Sequence, residues 1–160
     1  QARLHLLGGG LLKDTLLAQA EQLGLADRVE FHGRVGDAAM VQAIQRSRVS
    51  VSIPTSDATS VSVLESMACG LPIIASDLPA NRQWLDQRGG FIVPLGDVSA
   101  VTQALLTVYD APDQARQMGA FNHQRIEREA SRRGQMDAMW RLYQKLLLPR
   151  NVKVREKARA

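Results

Sequence analysis

Residues Ile53–Ser76 read IPTSDATSVSVLESMACGLPIIAS, and this stretch carries the signals of a strand end, a loop, a helix and a second strand. Just upstream, Val49–Ile53 alternates β-branched and small residues with a period of two, which predicts a strand that ends at the following proline. Helical spacing of apolar residues begins at Val61, Gly70 suits the left-handed position after a helix end, and Leu71–Ser76 returns to a strand pattern. The stretch therefore predicts a βαβ unit.

The loop of this unit, residues 55–60, is rich in hydroxyl groups. In open α/β sheets, the loop between a strand and the next helix lies at the carboxyl edge of the sheet, where such folds bind ligands. The first turn of the helix has N–H groups without helical partners, and Thr59, Ser60 and Ser62 stand beside them. The loop and the helix start are therefore predicted to bind a phosphate.

Two carboxylates, Asp57 and Glu65, flank this predicted phosphate site. Asp57 lies in the loop, and Glu65 can lean back toward it because helical Cβ bonds tilt toward the helix N-terminus. A carboxylate accepts two O–H groups at once, which suits the vicinal diol of a ribose or a sugar and hence a sugar nucleotide. The alternative is a capping box, in which Glu65 only bonds the backbone N–H of Ser62. Both interpretations stay open on this local evidence.

The rest of the chain repeats the alternation of strands and helices. Strand-like runs cover residues 3–7, 28–32, 49–53, 71–76 and 90–94, and the remainder from Asp97 to Leu148 has helical spacing. Strands separated by helices predict an α/β fold with a doubly wound parallel sheet, on which the C-terminal helices pack.

The length of 160 residues suits one domain, predicted at residues 1–148, with a basic tail at residues 149–160. No window is apolar enough for a membrane span. The chain begins at Gln1 without an initiator Met or a signal-peptide pattern, so we expect it to be part of a longer protein. Cys69 is the single cysteine, which excludes a disulfide framework and favours a reducing, cytoplasmic setting.

The predicted tail accounts for the formal net charge of +4. Its charged residues are Arg150, Lys153, Arg155, Glu156, Lys157 and Arg159. The predicted domain is therefore nearly neutral, which argues against nucleic-acid binding. The tail is interpreted as a solvated end or, alternatively, as a segment attracted to an anionic membrane surface, such as the inner face of the membrane.

The histidines give no metal-binding pattern at this level. His5, His32 and His123 are far apart in sequence, and none stands at ligand spacing from another His or Cys, so no metal site is predicted. There is also no nucleophile elbow around a serine, which argues against covalent hydrolysis.

Four blocks of the sequence resemble family 4 glycosyltransferases of GT-B fold. Asp57 and Glu65, with seven residues between them, are similar to the acidic-x7-Glu motif of that family, and ESMACGLPIIAS follows as its next segment. The other blocks are LLGGG at 6–10, VEFHGRV at 29–35 and GGFIVPLGD at 89–97. The resemblance covers residues 3 to about 145 in the right order. The usual motif has Glu first, and the family often has Gly-Phe-Gly where this chain has Ala58-Thr59-Ser60.

The resemblance implies a role for each matching residue. Glu65 would hold the ribose hydroxyls and Asp57 would contact the donor sugar. The backbone N–H groups of Thr59, Ser60 and Val61 would bind the phosphates. The remaining implied donor contacts are Gly8 and Gly10 in the first glycine loop, and His32, Gly33 and Arg34 near the base.

The resemblance further implies transfer of a sugar from a nucleoside-diphosphate sugar with retention at the anomeric carbon, in glycan, polysaccharide or glycolipid synthesis, and without a cofactor. The acceptor domain, the catalytic His, the basic residues that bind the pyrophosphate and the first strand–helix unit would lie outside this chain. The chain alone is therefore expected to be inactive. The alternatives are another GT-B enzyme, such as a sugar-nucleotide epimerase, and a non-catalytic flavodoxin-like binding module.

Overall fold

The computed structural model describes residues 2–147, so the predicted basic tail lies outside the described residues. The strands are β1 (Leu4–Leu7), β2 (Val29–Gly33), β3 (Ser50–Ser52), β4 (Ile73–Ser76) and β5 (Gly90–Val93). The helices are α1 (Lys13–Gln22), α2 (Asp37–Arg46), α3 (Val61–Ala68), α4 (Pro79–Trp84), α5 (Val98–Asp110), α6 (Pro112–Glu129) and α7 (Arg132–Leu147). A 3₁₀ helix at Ala26–Arg28 precedes β2.

All the strand pairings are parallel, which confirms the predicted α/β fold class. The strands are divided between two sheets, β1-β2 and β3-β4-β5, and no described strand pairs with both β1 and β3. β1 and β2 run in register from Leu4 opposite Val29 to Leu6 opposite Phe31, with a shift before Leu7 pairs with Gly33. One edge of β1 and one edge of β3 therefore have no strand partner within residues 2–147.

β4 is the centre of the larger sheet, and all four of its residues are buried. Ile73 and Ala75 face a cluster that includes Val63 and Met67 of α3. Ile74 faces a second cluster on the other side, which includes Ala104 of α5. Both faces of β4 are thus covered by helices, as expected for a parallel strand with a continuous apolar run.

Helix α6 crosses close to the start of β4 and fixes two loops there. A Cβ atom at Gly119 would lie 1.9 Å from the carbonyl oxygen of Gly70, so only glycine permits this approach. Asn122 is fully buried, and its amide Nδ2 donates to the carbonyls of Leu71 and Gly89, each at 2.8 Å. These bonds link α6 to the segments that enter β4 and β5.

The last helices differ in how deeply they pack. α6 carries buried residues along its length, including Met118 and Ile126, whereas α7 has none. α7 instead exposes several large apolar side chains, among them Met136, Trp140 and Tyr143. No helix within residues 2–147 has both the length and the apolar character needed to cross a membrane.

Candidate functional site

The loop between β3 and α3 is organised by a chain of hydroxyl groups. Ser60 is the N-cap residue of α3, and its side chain makes no capping hydrogen bond. The Ser60 Oγ instead lies 3.3 Å from the Ser52 Oγ at the end of β3 and 3.1 Å from the Ser62 Oγ. The Ser60 side chain therefore ties the helix start to the strand end, and the first-turn N–H groups have no side-chain cap.

Two further bonds fix the base of this loop. The Ser66 hydroxyl on α3 donates to the Ser50 Oγ on β3 at 2.8 Å, and the Ser76 hydroxyl at the end of β4 donates to the Pro54 carbonyl at 2.8 Å. The helix is thus anchored to the strand before it, and the loop is anchored to the strand after it. These hydrogen bonds therefore hold the base of the loop in place.

The start of α3 decides between the two interpretations of Glu65. The helix begins at Val61 with Ser60 as the N-cap, so Glu65 lies in the second turn rather than at the third helical position. A capping box requires the acidic residue three positions after the N-cap. The capping-box interpretation is therefore wrong. Glu65 and Asp57 are both half-buried.

The residues predicted to bind phosphate lie at the exposed end of this helix. Ser60 is buried at 6% exposure, whereas Thr59 and Val61 on either side of it are exposed. The Thr59 hydroxyl donates to the carbonyl of Ala58 at 2.8 Å, which turns it back onto its own loop. An anion could therefore approach backbone N–H groups here, with the hydroxyl of Thr59 already engaged.

The glycines predicted near the donor lie at the carboxyl ends of β1 and β2. The Gly8 N–H donates to the Gly33 carbonyl at 2.8 Å, and both residues have positive φ values, +129° and +65°. The Arg34 side chain is exposed and passes beside Gly9, where a Cβ atom would lie 4.0 Å from the Arg34 Cγ. Gly10 is exposed in the same loop.

The predicted site residues thus form two groups on two sheets. Gly8, Gly10, Gly33 and Arg34 meet at the ends of β1 and β2, whereas the second group surrounds the β3–α3 loop. Within residues 2–147 no hydrogen bond links the two groups. Hydrogen bonds join Gly8 to Gly33 within the first group, and Ser60 to Ser52 and Ser62 within the second.

The histidines show what the sequence analysis missed. Pairing of β1 with β2 places the Nδ1 of His5 3.0 Å from the Nε2 of His32, with ring centroids 5.2 Å apart. The Oε2 of Glu30 lies 3.4 Å from the same His5 nitrogen. The prediction of no metal site rested on the distance between the histidines in sequence. The structure shows that His5 and His32 are nevertheless close in space. Only the register between β1 and β2 would have indicated that His5, Glu30 and His32 lie together.

Cys69 closes helix α3, four residues after Glu65. Burial raises the pKa of its thiol, and the negative charge of Glu65 raises the pKa further. The thiol therefore stays protonated at neutral pH and is a poor nucleophile. This argues against a catalytic role for Cys69.

Comparison with known proteins identifies the family of this chain. Residues 1–111 match the model of the family described as "Glycosyl transferases group 1". Among curated proteins, the chain is 36% identical over 118 residues to the D-rhamnosyltransferase WbpZ of Pseudomonas aeruginosa, covering 71% of this chain and 31% of WbpZ. It is 32% identical over 118 residues to the putative glycosyltransferase EpsD of Bacillus subtilis, covering 73% of this chain and 30% of EpsD. The chain thus spans about a third of the length of these relatives.

Solved structures share the fold over most of this chain. A sucrose-phosphate synthase from Thermosynechococcus elongatus superimposes with a TM-score of 0.83 at 24% identity, covering 90% of this chain and 38% of the synthase. Anabaena Alr3699/HepE in complex with UDP-glucose gives 0.82 at 17% identity, covering 91% of this chain and 41% of that protein. These neighbours are GT-B glycosyltransferases. The chain has the fold of part of a GT-B protein, and it belongs to the group 1 glycosyltransferase family.

Proposed function

We propose that this chain is the donor-binding domain of a retaining glycosyltransferase of family 4. The whole protein would transfer a sugar from a nucleoside-diphosphate sugar to an acceptor in glycan, polysaccharide or glycolipid synthesis. A D-rhamnosyltransferase among the relatives and a UDP-glucose complex among the structural neighbours support this substrate class. The acceptor site, the catalytic His and the basic residues for the pyrophosphate would be supplied by parts of the protein outside residues 1–160.

The observation that carries the proposal is the position of Glu65 relative to the start of α3. Because Ser60 is the N-cap, the Glu65 carboxylate is not used for capping, and it stays near a loop whose first-turn N–H groups have no side-chain cap. A free carboxylate one turn behind free N–H groups suits a ribose attached to a diphosphate. We therefore assign the ribose hydroxyls to Glu65, the donor sugar to Asp57 and the phosphates to the N–H groups of Thr59, Ser60 and Val61.

The remaining donor contacts would come from the ends of β1 and β2. Gly8 and Gly33 carry no side chains, so a ligand can approach the backbone closely at the ends of β1 and β2. We propose that Gly8 and Gly10 lie near the donor, and that the segment from His32 to Arg34 lies near the base. The donor would then span from one sheet to the other.

Replacement of Glu65 by Gln tests the proposal. The variant keeps the size and one acceptor oxygen, but it loses the charge and the second acceptor. Loss of a charge-assisted contact costs about 1.5–3 kcal/mol, so affinity for the nucleotide should fall roughly tenfold to a hundredfold while the melting temperature is unchanged. The measurement is calorimetric titration of the full-length protein with uridine, guanosine and adenosine diphosphate sugars.

Glu21→Gln is the matched control, because Glu21 is an exposed helical glutamate on α1, outside both groups of the site. It should bind the nucleotide like the parent. If Glu65→Gln also binds like the parent, Glu65 has no ribose role. If the parent binds none of the three nucleotides, or converts the sugar nucleotide into its epimer without an acceptor, the proposed function is wrong.

We also propose a cytoplasmic protein whose basic tail can contact the inner face of the membrane. The support is the sequence itself, because five cations and a single carboxylate lie within residues 149–160. Near an anionic surface each such cation contributes about 1 kcal/mol to attraction, and salt screens this attraction.

A further inference from the structure

His5, Glu30 and His32 form one cluster on the face of the β1-β2 sheet. His5 lies opposite Glu30 in the strand register, and His32 follows Glu30 by two residues. Side chains that are paired across strands, or two apart along a strand, point to the same face. The cluster is therefore a consequence of the fold and not of neighbouring positions in the sequence.

The distances within the cluster match those between ligands of one metal ion. The His5 Nδ1 lies 3.0 Å from the His32 Nε2 and 3.4 Å from the Glu30 Oε2, and the His32 Nε2 lies 3.8 Å from that same oxygen. With bonds of about 2.0–2.1 Å, neighbouring ligand atoms around a tetrahedral Zn²⁺ lie roughly 3.3 Å apart. The three distances in the cluster, from 3.0 to 3.8 Å, lie around this value.

The Glu30 carboxylate is held in the orientation that this cluster needs. The Arg3 Nη1 donates to the Oε1 of Glu30 at 2.9 Å, which leaves the Oε2 directed at the two imidazoles. A ligand oriented by an outer hydrogen bond is typical of metal sites, where such partners affect affinity by about tenfold to a hundredfold. Arg3 also offsets the charge of Glu30 when no metal is bound.

The cluster is open to an ion from solvent. The side chains of His5, Glu30 and His32 are 37%, 41% and 35% exposed. They line a cavity of about 250 Å³ whose opposite wall is α2, with Ala39, Gln42 and Arg46. Room remains for a water molecule as a fourth ligand, and Arg46 and Arg3 are the nearby cations that would repel a metal ion.

We propose that His5, Glu30 and His32 bind a divalent transition-metal ion, with Zn²⁺ as the best match. Two imidazoles and one carboxylate favour Zn²⁺, Ni²⁺ or Cu²⁺ over Mg²⁺ and Ca²⁺, which prefer oxygen ligands alone. The ion would crosslink β1 to β2 immediately before the loops at Gly8 and Gly33. This proposal does not rest on the proposed function, because it uses only the geometry of the three side chains.

The test is Zn²⁺ titration of the purified, tag-free protein in competition with a chromophoric chelator. The parent should bind one equivalent, and His5→Gln, Glu30→Gln and His32→Gln should each lower the affinity more than about tenfold. Mg²⁺ should not compete. Co²⁺ in place of Zn²⁺ should give the visible absorption bands of a four-coordinate site in the parent, and these should be lost in Glu30→Gln.

His123→Gln is the matched control, because His123 lies on α6, with its Nδ1 2.6 Å from the Ala68 carbonyl oxygen. It should keep the parent's affinity. The three ligands are exposed, so their variants should keep the far-ultraviolet circular dichroism and the metal-free melting temperature of the parent. Glu30→Gln preserves the side-chain size, and it decides the question if a histidine variant unfolds. The proposal is overturned if the parent shows no saturable Zn²⁺ binding, or if Glu30→Gln binds like the parent.

Discussion

At the scale of single residues, the role of Glu65 depends on which of several hydroxyl residues begins α3. Thr59, Ser60 and Ser62 all suit an N-cap by type, and a cap at Ser62 would have made Glu65 its partner. In the structure the N-cap is Ser60, and a hydrogen bond between the Ser60 and Ser52 hydroxyls joins the helix start to β3. The N-cap at Ser60, which contacts a residue eight positions earlier, thus places Glu65 outside a capping box.

The reactivity of Cys69 reports on the charge of Glu65, because that charge affects the pKa of the thiol. Burial is the main cause that raises the pKa of the Cys69 thiol, and Glu65 adds to it. Glu65→Gln removes a like charge one helical turn away, so it should lower this pKa and speed alkylation by iodoacetamide at pH 8 roughly twofold. The alkylation rate of the folded protein is the measurement, with Glu21→Gln as the control. An unchanged rate would mean that the Glu65 carboxylate points away from Cys69.

At the scale of elements, hydrogen bonds and ion pairs tie α6 to the end of α4 and to the turn between α4 and β5. Arg125 of α6 is largely buried, and its Nη2 donates to the Gln83 carbonyl at 3.0 Å while its Nη1 lies 3.6 Å from Asp86. Arg88 donates to both oxygens of the Asp86 carboxylate. These hydrogen bonds from Arg88 lower the pKa of Asp86, and the charge of Arg125 lowers it further.

This network predicts a specific pH dependence. The folded-state pKa of Asp86 is depressed, so its contribution is present above the unfolded value of about 3.9 and is lost as pH falls through the folded value. Asp86→Asn should therefore lower stability at pH 7 by about 0.5 kcal/mol, as expected for an exposed pair. In thermal melts from pH 7 down to pH 3, the difference in stability between Asp86→Asn and the parent should become smaller as the pH falls. Asp137→Asn on α7 is the control, and an equal difference at every pH would contradict the assignment.

The elements themselves were largely predictable from sequence, because their signals are local. Each predicted strand forms within two residues of its expected bounds, since alternating β-branched residues and flanking Gly or Pro mark them. The division into two sheets and the grouping of His5 with His32 were not predictable in the same way. Both depend on which strands pair and in what register, and a one-residue shift would have turned His5 to the other face.

At the scale of the whole molecule, β1 and β3 each have one edge without a strand partner within residues 2–147. Leu4 on β1 and Val51 on β3 are 47% and 39% exposed, although both lie in strands of a parallel sheet. Parallel sheets are normally covered on both faces, and exposed edges invite pairing with other chains. We propose that a strand–helix unit of the longer protein, outside residues 1–160, pairs with both edges and completes one sheet.

Hydrogen exchange tests this proposal. In a longer protein that includes this strand–helix unit, amides of β1 and β3 should exchange more slowly than in the 160-residue chain, because new ladder bonds protect them. Amides of β4, which is paired on both sides in this chain, are the internal control and should change little. Equal exchange of β1 and β3 in both proteins would show that their free edges stay unpaired.

The buried amide of Asn122 has a consequence for the order in which the chain acquires its structure during synthesis. Its bonds reach back 51 residues to Leu71 and 33 residues to Gly89, whereas β1 and β2 pair across about 25 residues. A nascent chain emerges N-terminus first, so β1 and β2 can form while β4 and β5 still wait for α6 to leave the ribosome. Until residue 122 emerges, the apolar residues of β4 lack part of their cover, and a pause in translation within that interval would leave them open to chaperones.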